Sequence, residues 1–416
     1  MSVREGGPVG LGEVPGDKGL PLPLDGVTVL DLTQFAAGPY TAMLLADAGA
    51  RVIKVEPPGG EPYRHEGTPL ATRPDGSRVG SYILRFSRDK ESVVLDLKDP
   101  AGIAALRALV KQADVLVQNF KPTTAARLGI DYATLRLVNP RLVYASVTGF
   151  GQPDFLPSPY SNSPAFAVVS EAMGGVMGRF GDDQCEPHWS NVSLGDLFPG
   201  GLAVAGVVMA LLQRDRTGEG QLVDVALTDG MTSLNEKAVA LFSATGHEPP
   251  RGEDDDDSSV VVRAADAWVL VVLSTDDDVG RVCELVGAPS AADGLPAVTL
   301  PGRHRAIANR VAPAVQAWAR ERDFATVCTD ARRCGITVVK VNTVRDIVES
   351  EHVRARQMLL DVDYGPHGSH TVVGSPIKFG GAADRTRARV HLVGEDTDQV
   401  LRQPAGHQDE ARSTGG

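Results

Sequence analysis

The sequence predicts an α/β protein, with a doubly wound, mainly parallel sheet in a large domain and a smaller α+β domain after it. Two observations carry this reading. Short runs rich in Val, Ile and Leu alternate with helix-like segments through the first 230 or so residues, the pattern of parallel strands covered on both faces. Near residue 245 the composition turns polar and acidic, then returns to closely spaced strand and helix patterns, which marks a second domain.

The elements follow in order. Residues 1–23 mix acids, glycines and prolines without an apolar run, so they read as a flexible N-terminal arm and not as a signal peptide. VTVLDLT (27–33) is a β-branched strand, AAGPYTAMLLADAGA (36–50) a turn and helix, and RVIKVEPP (51–58) a strand closed by Pro57 and Pro58. Together they form a βαβ unit. SVVLDLK (92–98) is a strand, Pro100 to Gln112 a helix, and DVLVQNF (114–120) and LVYASVTGF (142–150) two more strands. Residues 151–190 are rich in Gly, Pro, Ser and Asn and predict loops and short helices over an active-site mouth. Leu197 to Leu212 is apolar but shorter than a bilayer span, so a buried helix reaching Arg214 is expected. The turn RTGEGQ (216–221) leads into strand LVDVAL (222–227), and the large domain is taken as 24–231.

The small domain is expected over 232–340, including an acidic loop at 247–259 that holds Asp254 to Asp257. Such a run of like charge is a solvated segment. VVVRAAD (260–266), AWVLVVLS (267–274) and GITVVKV (335–341) read as strands, and Asp278–Leu285 and Arg303–Glu321 as helices. A helix near Val344–Leu360 and strand-like TVVGSPIKF (371–379) fill a linker and C-terminal segment at 341–402, before a polar tail at 403–416.

Formal net charge is −12 over 416 residues, which argues against nucleic acid as a partner. The four cysteines at 185, 283, 328 and 334 form no CxxC pair, so neither a disulfide framework nor a cysteine zinc site is expected. A cytoplasmic protein that does not engage membranes, with no metal and no permanently bound cofactor, is the resulting expectation.

Chemistry should gather at the carboxyl ends of the parallel strands. Thr33 to Pro39 follows the first strand with small residues that admit a ligand close to the backbone, yet no GxGxxG fingerprint is present. Asn119, Phe120, Lys121 and Pro122 follow another strand and offer an amide, an aromatic face and a cation. Arg51, Lys54, Arg64, Arg88, Lys90, Lys98, Lys121 and Arg127 crowd the first third of the chain. They read either as surface charge or as a cationic pocket for phosphates. Asp196, in NVSLGDLFPG between a loop and an apolar helix, reads either as a helix N-cap or as a carboxylate nucleophile beside Gly195.

Taken together, LDGVTVLDLTQFAAGP (24–39), GARVIKVEPP (49–58), SVVLDLK (92–98), ADVLVQNFKP (113–122), NPRLVYASVTGFG (139–151), SLGDLFPG (193–200) and RTGEGQLVDVALTDG (216–230) resemble the family III coenzyme A transferases. These are the group of formyl-CoA and carnitine-CoA transferases. VGSPIKF (373–379) and HLVGEDTDQVL (391–401) extend the resemblance to about residue 402.

The resemblance implies a C-terminal segment that returns to the large domain and two subunits threaded through each other as an interlocked homodimer. It implies transfer of coenzyme A from an acyl-CoA to a small carboxylic acid. The family nucleophile, the aspartate of the GD pair, falls on Asp196, which would pass through an aspartyl anhydride and an aspartyl-CoA thioester. Coenzyme A contacts carry over to Ala36, Ala37, Leu95, Asp96, Leu97, Lys98, Asn119, Phe120, Lys121 and Arg127.

Three departures bear on substrate. Ala165, Phe166, Ala167 and Glu171 stand where many members have Gly-Tyr-Asp and then Gln; Ser87 to Ser92 replaces Asn-Arg-Gly-Lys-Arg-Ser; and RGEDDDDSS (251–259) stands where one member has a glycine-rich lid. Phe155, Phe166, Ala167, Val168 and Met173, with no carboxylate at 167, point to a more apolar site mouth and a branched, aromatic or otherwise bulky acyl group over oxalate. The alternatives are an acyl-CoA lyase or hydrolase, an α-methylacyl-CoA racemase, whose family histidine position falls on Phe166 and not on nearby His188, and a catalytically silent dimeric binding protein.

Overall fold

Six short strands, each dominated by β-branched or aliphatic residues, build the main sheet: β1 (Thr28–Asp31), β2 (Arg51–Glu56), β3 (Lys90–Val94), β4 (Val115–Gln118), β5 (Val143–Thr148) and β6 (Leu222–Ala226). All neighbours pair in parallel, in the order β3-β2-β1-β4-β5-β6. The computed structural model describes residues 20–72, 76–181, 185–252, 258–297, 302–380 and 387–402. Most of the expected N-terminal arm, the Asp254–Asp257 run and the polar tail lie outside the described residues.

Because side chains alternate along a strand, each strand feeds two cores. Val29, Val52, Val115, Val117 and Val143 face one side, where they meet Leu45 of helix α1 (Ala37–Asp47) and Ala203 and Val207 of a long helix at Leu194–Thr217. Leu30, Ile53, Leu116 and Tyr144 face the other side, against Leu106 and Val110 of α2 (Pro100–Val110) and Ala125 of α3 (Pro122–Leu128). Helices on both faces of a parallel sheet confirm the doubly wound α/β architecture.

Several elements differ from expectation. The strand expected at 92–98 ends at Val94, so Leu95 to Lys98 lie in the turn beyond it. The apolar helix begins at Leu194 and spans 24 residues, long and apolar enough to cross a membrane by length and composition. Ala203, Val207 and Ala210 pack on the sheet while Leu202, Met209 and Leu212 on its other side are exposed. It is therefore buried on one face only. The helix expected at Val344–Leu360 is two short helices, Val344–Glu349 and Glu351–Ala355, followed by a strand at Leu359–Asp363. Arg303–Glu321 divides at Val311, next to Pro313, which can only start a helix. A further helix at Phe324–Arg333 was not anticipated. Its sequence is largely polar, with apolar Val327 and Ala331 one turn apart to mark its buried face.

The chain divides into two compact units, one comprising Met1–Met177, Trp189–Lys237 and Ala355–Gly416, the other Gly178–His188 and Ala238–Arg354. The second unit has an antiparallel three-stranded sheet of Val260–Arg263, Trp268–Val272 and Thr337–Lys340. Val262, Val269 and Val271 are buried while Val261 and Trp268 are exposed, as in a sheet covered on one face. Helices supply Val279, Val282, Ile307, Val315 and Val327 to its core. This is the smaller α+β domain.

In the first unit, residues after 355 close the open edge of the main sheet. Asp396 accepts from the Ser92 amide at 2.7 Å, and Thr397 Oγ1 accepts from the Val94 amide at 3.0 Å. The β3 edge thus meets side-chain acceptors instead of a further strand.

The same unit contains a buried charge network. Asp31 at the end of β1 is fully buried, accepts from Lys90 Nζ at 2.8 Å and lies 3.7 Å from Lys54 Nζ. Lys54 also donates to the Thr33 carbonyl at 3.0 Å, and Lys90 to the Pro39 carbonyl at 2.8 Å. Burial disfavours the Asp31 anion, but Lys54 and Lys90 outweigh it and hold the carboxyl below its usual range. Removing Asp31 leaves buried Lys90 charged without its counter-ion and Lys54 with Glu61 alone, at 3.4 Å. Asp31→Ala is expected to cost about 3–5 kcal/mol in urea unfolding, more than the roughly 1 kcal/mol typical of substitutions in general.

Candidate active site

The strand order reverses between β1 and β4, and a crevice opens outside their carboxyl ends. Asn119, just after β4, ties the two loops together. Its side-chain oxygen accepts from the Gln34 amide at 2.9 Å, and its side-chain nitrogen donates to the Gln34 carbonyl at 2.7 Å. The next residue, Phe35, adopts a left-handed φ of 65°, unusual for a bulky side chain. Its amide donates to Glu61 at 3.2 Å, so the strained turn is held from both sides.

A cavity of about 430 Å³ fills the crevice. Ala36, Ala37, Asn119, Phe120 and Lys121 line it, as does Asp196, together with Tyr63, Thr148 and Phe166. Six of the residues singled out in the sequence therefore converge on one space, although Asp196 lies far from the others along the chain.

Asp196 stands in the first turn of the long helix Leu194–Thr217, which is α5 in chain order after α4 (Ala167–Met173). It is not the N-cap. That position is Ser193, which has a left-handed φ of 55° and makes no side-chain cap bond. Glu171 on α4 does the capping instead: it accepts from the Ser190 amide at 2.8 Å, the Ser190 hydroxyl at 2.9 Å and the Gly195 amide at 3.3 Å. A carboxylate from a neighbouring helix thus takes one orphan amide of α5, that of Gly195, and holds Ser190, whose hydroxyl lies 3.4 Å from the Leu194 amide. Gly195 serves the packing of the two helices. A Cβ there would lie 2.3 Å from the Ala167 carbonyl and 2.6 Å from Ser170 Oγ, so the missing side chain lets α5 approach α4 and not a ligand.

Burial pushes the Asp196 carboxyl up to about 6, with the Arg85 guanidinium opposing the rise and the Glu171 carboxylate adding to it. Arg85 was missed in the sequence. Its guanidinium lies over Tyr63, Tyr82 and Phe86 and reaches Ser193 Oγ at 3.4 Å. The signal was weak, a single arginine inside the otherwise apolar YILRF.

The remaining expected contacts fall elsewhere. Leu97, Lys98 and Arg127 line a second, shallow groove of about 710 Å³ with Pro100, Ile103, Arg107, Lys111 and Leu128. Lys121 and Arg127 sit at the two ends of α3, which joins cavity and groove. Leu95 is buried in the core, and the Asp96 carboxylate accepts from the Lys98 amide at 2.9 Å. Five of the eight cations read as a phosphate pocket are engaged within the protein: Arg51 with Glu91, Lys54 and Lys90 with Asp31, Arg64 with Glu56, and Arg88 with Asp47. Arg107 and Lys111, one helical turn apart on the rim of the groove, were not singled out.

The raised Asp196 pKa carries a sign. A carboxyl with a folded value near 6 and an unfolded value near 3.8 binds its proton more tightly in the folded state. Its contribution to stability is full below the unfolded value and is lost as pH rises through about 6. Asp196→Asn removes this dependence. In urea unfolding the variant is expected to gain on the wild type as pH goes from about 4 to about 7; a constant difference across that window would show that the carboxyl is not held in this way.

Residues 24–397 match the family described as CoA-transferase family III. A succinyl-CoA:mesaconate CoA-transferase of Haloarcula hispanica is 35% identical over 384 residues, covering 91% of this chain and 95% of its own. A succinate–glutarate CoA-transferase of Agrobacterium fabrum is 32% identical over 387 residues, again covering 91% and 95%. The crystal structure of a CAIB/BAIF family protein from Brucella suis superposes with a TM-score of 0.79 at 29% identity, covering 92% of this chain and 99% of that one. These matches run through both units and every strand of the main sheet, and the chain accordingly belongs to CoA-transferase family III, a family that works on coenzyme A thioesters.

Proposed function

We propose that this protein transfers coenzyme A from an acyl-CoA donor to a small carboxylic acid, with Asp196 as the nucleophile. One observation carries the reading: Asp196 is a desolvated carboxylate on the cavity wall that Glu171 has released from capping its own helix. Desolvation strips water from the attacking oxygen, and a rigid first turn holds it in place.

The chemistry balances without an added reagent. An Asp196 carboxylate oxygen attacks the thioester carbonyl, the C–S bond breaks, and CoA leaves as thiolate with an aspartyl–acyl anhydride behind it. The thiolate attacks the aspartyl carbonyl, giving an aspartyl-CoA thioester and the free donor acid. The acceptor carboxylate then attacks that thioester and expels the thiolate. The thiolate finally takes the acceptor acyl group from the second anhydride, and the Asp196 carboxylate is regenerated. Through this sequence the thioester's group-transfer potential is retained.

On this reading the thioester end occupies the 430 Å³ cavity, and Lys121, Arg127 and Lys98 receive the phosphates along α3. These three cations have no ion-pair partner among the described residues, unlike the five engaged within the fold. A racemase needs a second proton acceptor across the α-carbon. The cavity lining has Phe166 and no histidine among the described residues.

The same reading includes an interlocked homodimer. Helix Glu236–Thr245 has no buried residue, and its Val239, Leu241 and Phe242 are exposed. Val344, Ile347 and Val348 are exposed on another short helix, and Leu202, Met209 and Leu212 on α5. Apolar surface of this extent supports a partner subunit.

Asp196→Asn preserves shape and removes the attacking charge. Transfer is expected to fall by about three orders of magnitude or more, while calorimetry still registers CoA binding. Hydroxylamine during turnover should convert Asp196 to a hydroxamate, seen by mass spectrometry only when acyl-CoA is present. Retained activity in the variant, or labelling of Glu171 in place of Asp196, would sink the assignment. For assembly, sedimentation is expected to show a dimer that persists on dilution, and a stable monomer would refute it.

A further inference from the structure

We propose that Arg85 holds the free carboxylate of a dicarboxylic substrate, so that the enzyme prefers acyl groups and acceptor acids carrying a second carboxylate. The inference rests on the reading of Asp196 as nucleophile.

The first ground is an imbalance of charge. Four other cations of the same stretch of chain have a carboxylate within 4 Å: Arg51 has Glu91, Arg64 has Glu56, Arg88 has Asp47 and Lys90 has Asp31. Arg85 is half-buried and forms no ion pair among the described residues. Its nitrogens reach only two neutral oxygens, Tyr63 Oη at 3.5 Å and Ser193 Oγ at 3.4 Å. Both are long for hydrogen bonds. A guanidinium has five N–H donors, so most of its capacity is open, and a half-desolvated cation without a counter-ion favours an anion.

The second ground is rigidity. The guanidinium carbon lies 5.7 Å from the Tyr63 ring centre, 5.6 Å from that of Tyr82 and 4.7 Å from that of Phe86. Three rings fix the group in place without neutralising it. A planar fork so held suits a carboxylate.

The third ground is position. Tyr63 and Asp196 both line the cavity, and Arg85 contacts Tyr63 and also Ser193, three residues before Asp196. It forms no ion pair with Asp196 itself, yet lies close enough to oppose the rise in that carboxyl's pKa. The phosphates of coenzyme A have other cations along α3. The reacting carboxylate of the acid becomes an acyl group during transfer and cannot stay paired. A second carboxylate is unchanged in donor, anhydride and product, so one cation can hold it throughout. On this proposal the bulky acyl group expected from Phe166 and its neighbours also carries a carboxylate toward Arg85, beside Tyr63 and Ser193.

The test compares succinyl-CoA with butyryl-CoA, donors of equal chain length, against one fixed acceptor, in the full-length wild type, Arg85→Met and Arg85→Lys. Wild type should favour succinyl-CoA in kcat/KM. Arg85→Met should reduce that ratio by about 10- to 100-fold, the scale of a lost charged hydrogen bond, and Arg85→Lys should restore part of it. Any effect of Arg85 on the nucleophile, or any loss of folded protein, is common to both donors and cancels in the ratio. Equal use of the two donors by wild type, or an unchanged ratio in Arg85→Met, would overturn the inference. If that occurs while Asp196 still forms the hydroxamate, only the role of Arg85 falls. If Asp196→Asn keeps its activity, the nucleophile assignment falls, and the inference with it.

Discussion

The pairing of Asp31 with Lys54 and Lys90 is the interaction on which the site depends. Asp31 closes β1 at the point where the chain turns into the ligand crevice. The two lysines come from the neighbouring strand and the strand beyond it, so a single carboxylate joins three strands. Lys54 then donates to the Thr33 carbonyl of the loop and Lys90 to the Pro39 carbonyl in the first turn of α1. Burying three charges is costly unless every partner is in place. The cluster therefore stands only when the strands are in register and the start of α1 is seated against them. Phe35 can hold a left-handed backbone because the turn around it is pinned by Lys54, Glu61 and Asn119.

A second carboxylate, Glu171, does for α5 what Asp31 does for the loop. Helix starts need acceptors for their free amides, and in sequence the nearest acid to this one is Asp196. The protein meets the need from α4, through the close contact that Gly195 permits. Asp196 then has no structural duty in its own helix, and its carboxyl can be desolvated and aimed at the cavity. A carboxylate held in this way is a local cost to stability that the surrounding fold supports.

Electrostatics also explains why an acidic chain can bind a polyanion. Five cations of the first third, Arg51, Lys54, Arg64, Arg88 and Lys90, are engaged in internal pairs and contribute little field outside. Among the described residues, five that form no ion pair lie along α3, Lys98, Arg107, Lys111 and Arg127 around one groove and Lys121 at its far end, while Arg85 stands apart beside Tyr63 and Ser193. Net charge says nothing of such sorting.

The sequence by itself determined the layered α/β class, the strand positions to within a few residues, and the stretches that supply the crevice. It could do so because period-two and helical patterns are local, as are the turn residues that end each strand. Motif order along the chain was enough to mark Asp196 and the 119–121 segment. Three-dimensional structure alone decided what each charged residue does. Whether Lys54 meets Asp31 or a phosphate, whether Glu171 or Asp196 caps α5, and whether Arg85 has a counter-ion all depend on strands and helices distant in sequence. The same holds for the exposed side of α5, which a sequence of evenly apolar residues could not distinguish from its buried side. Secondary structure follows from neighbours along the chain, whereas the state of a charge follows from neighbours in space.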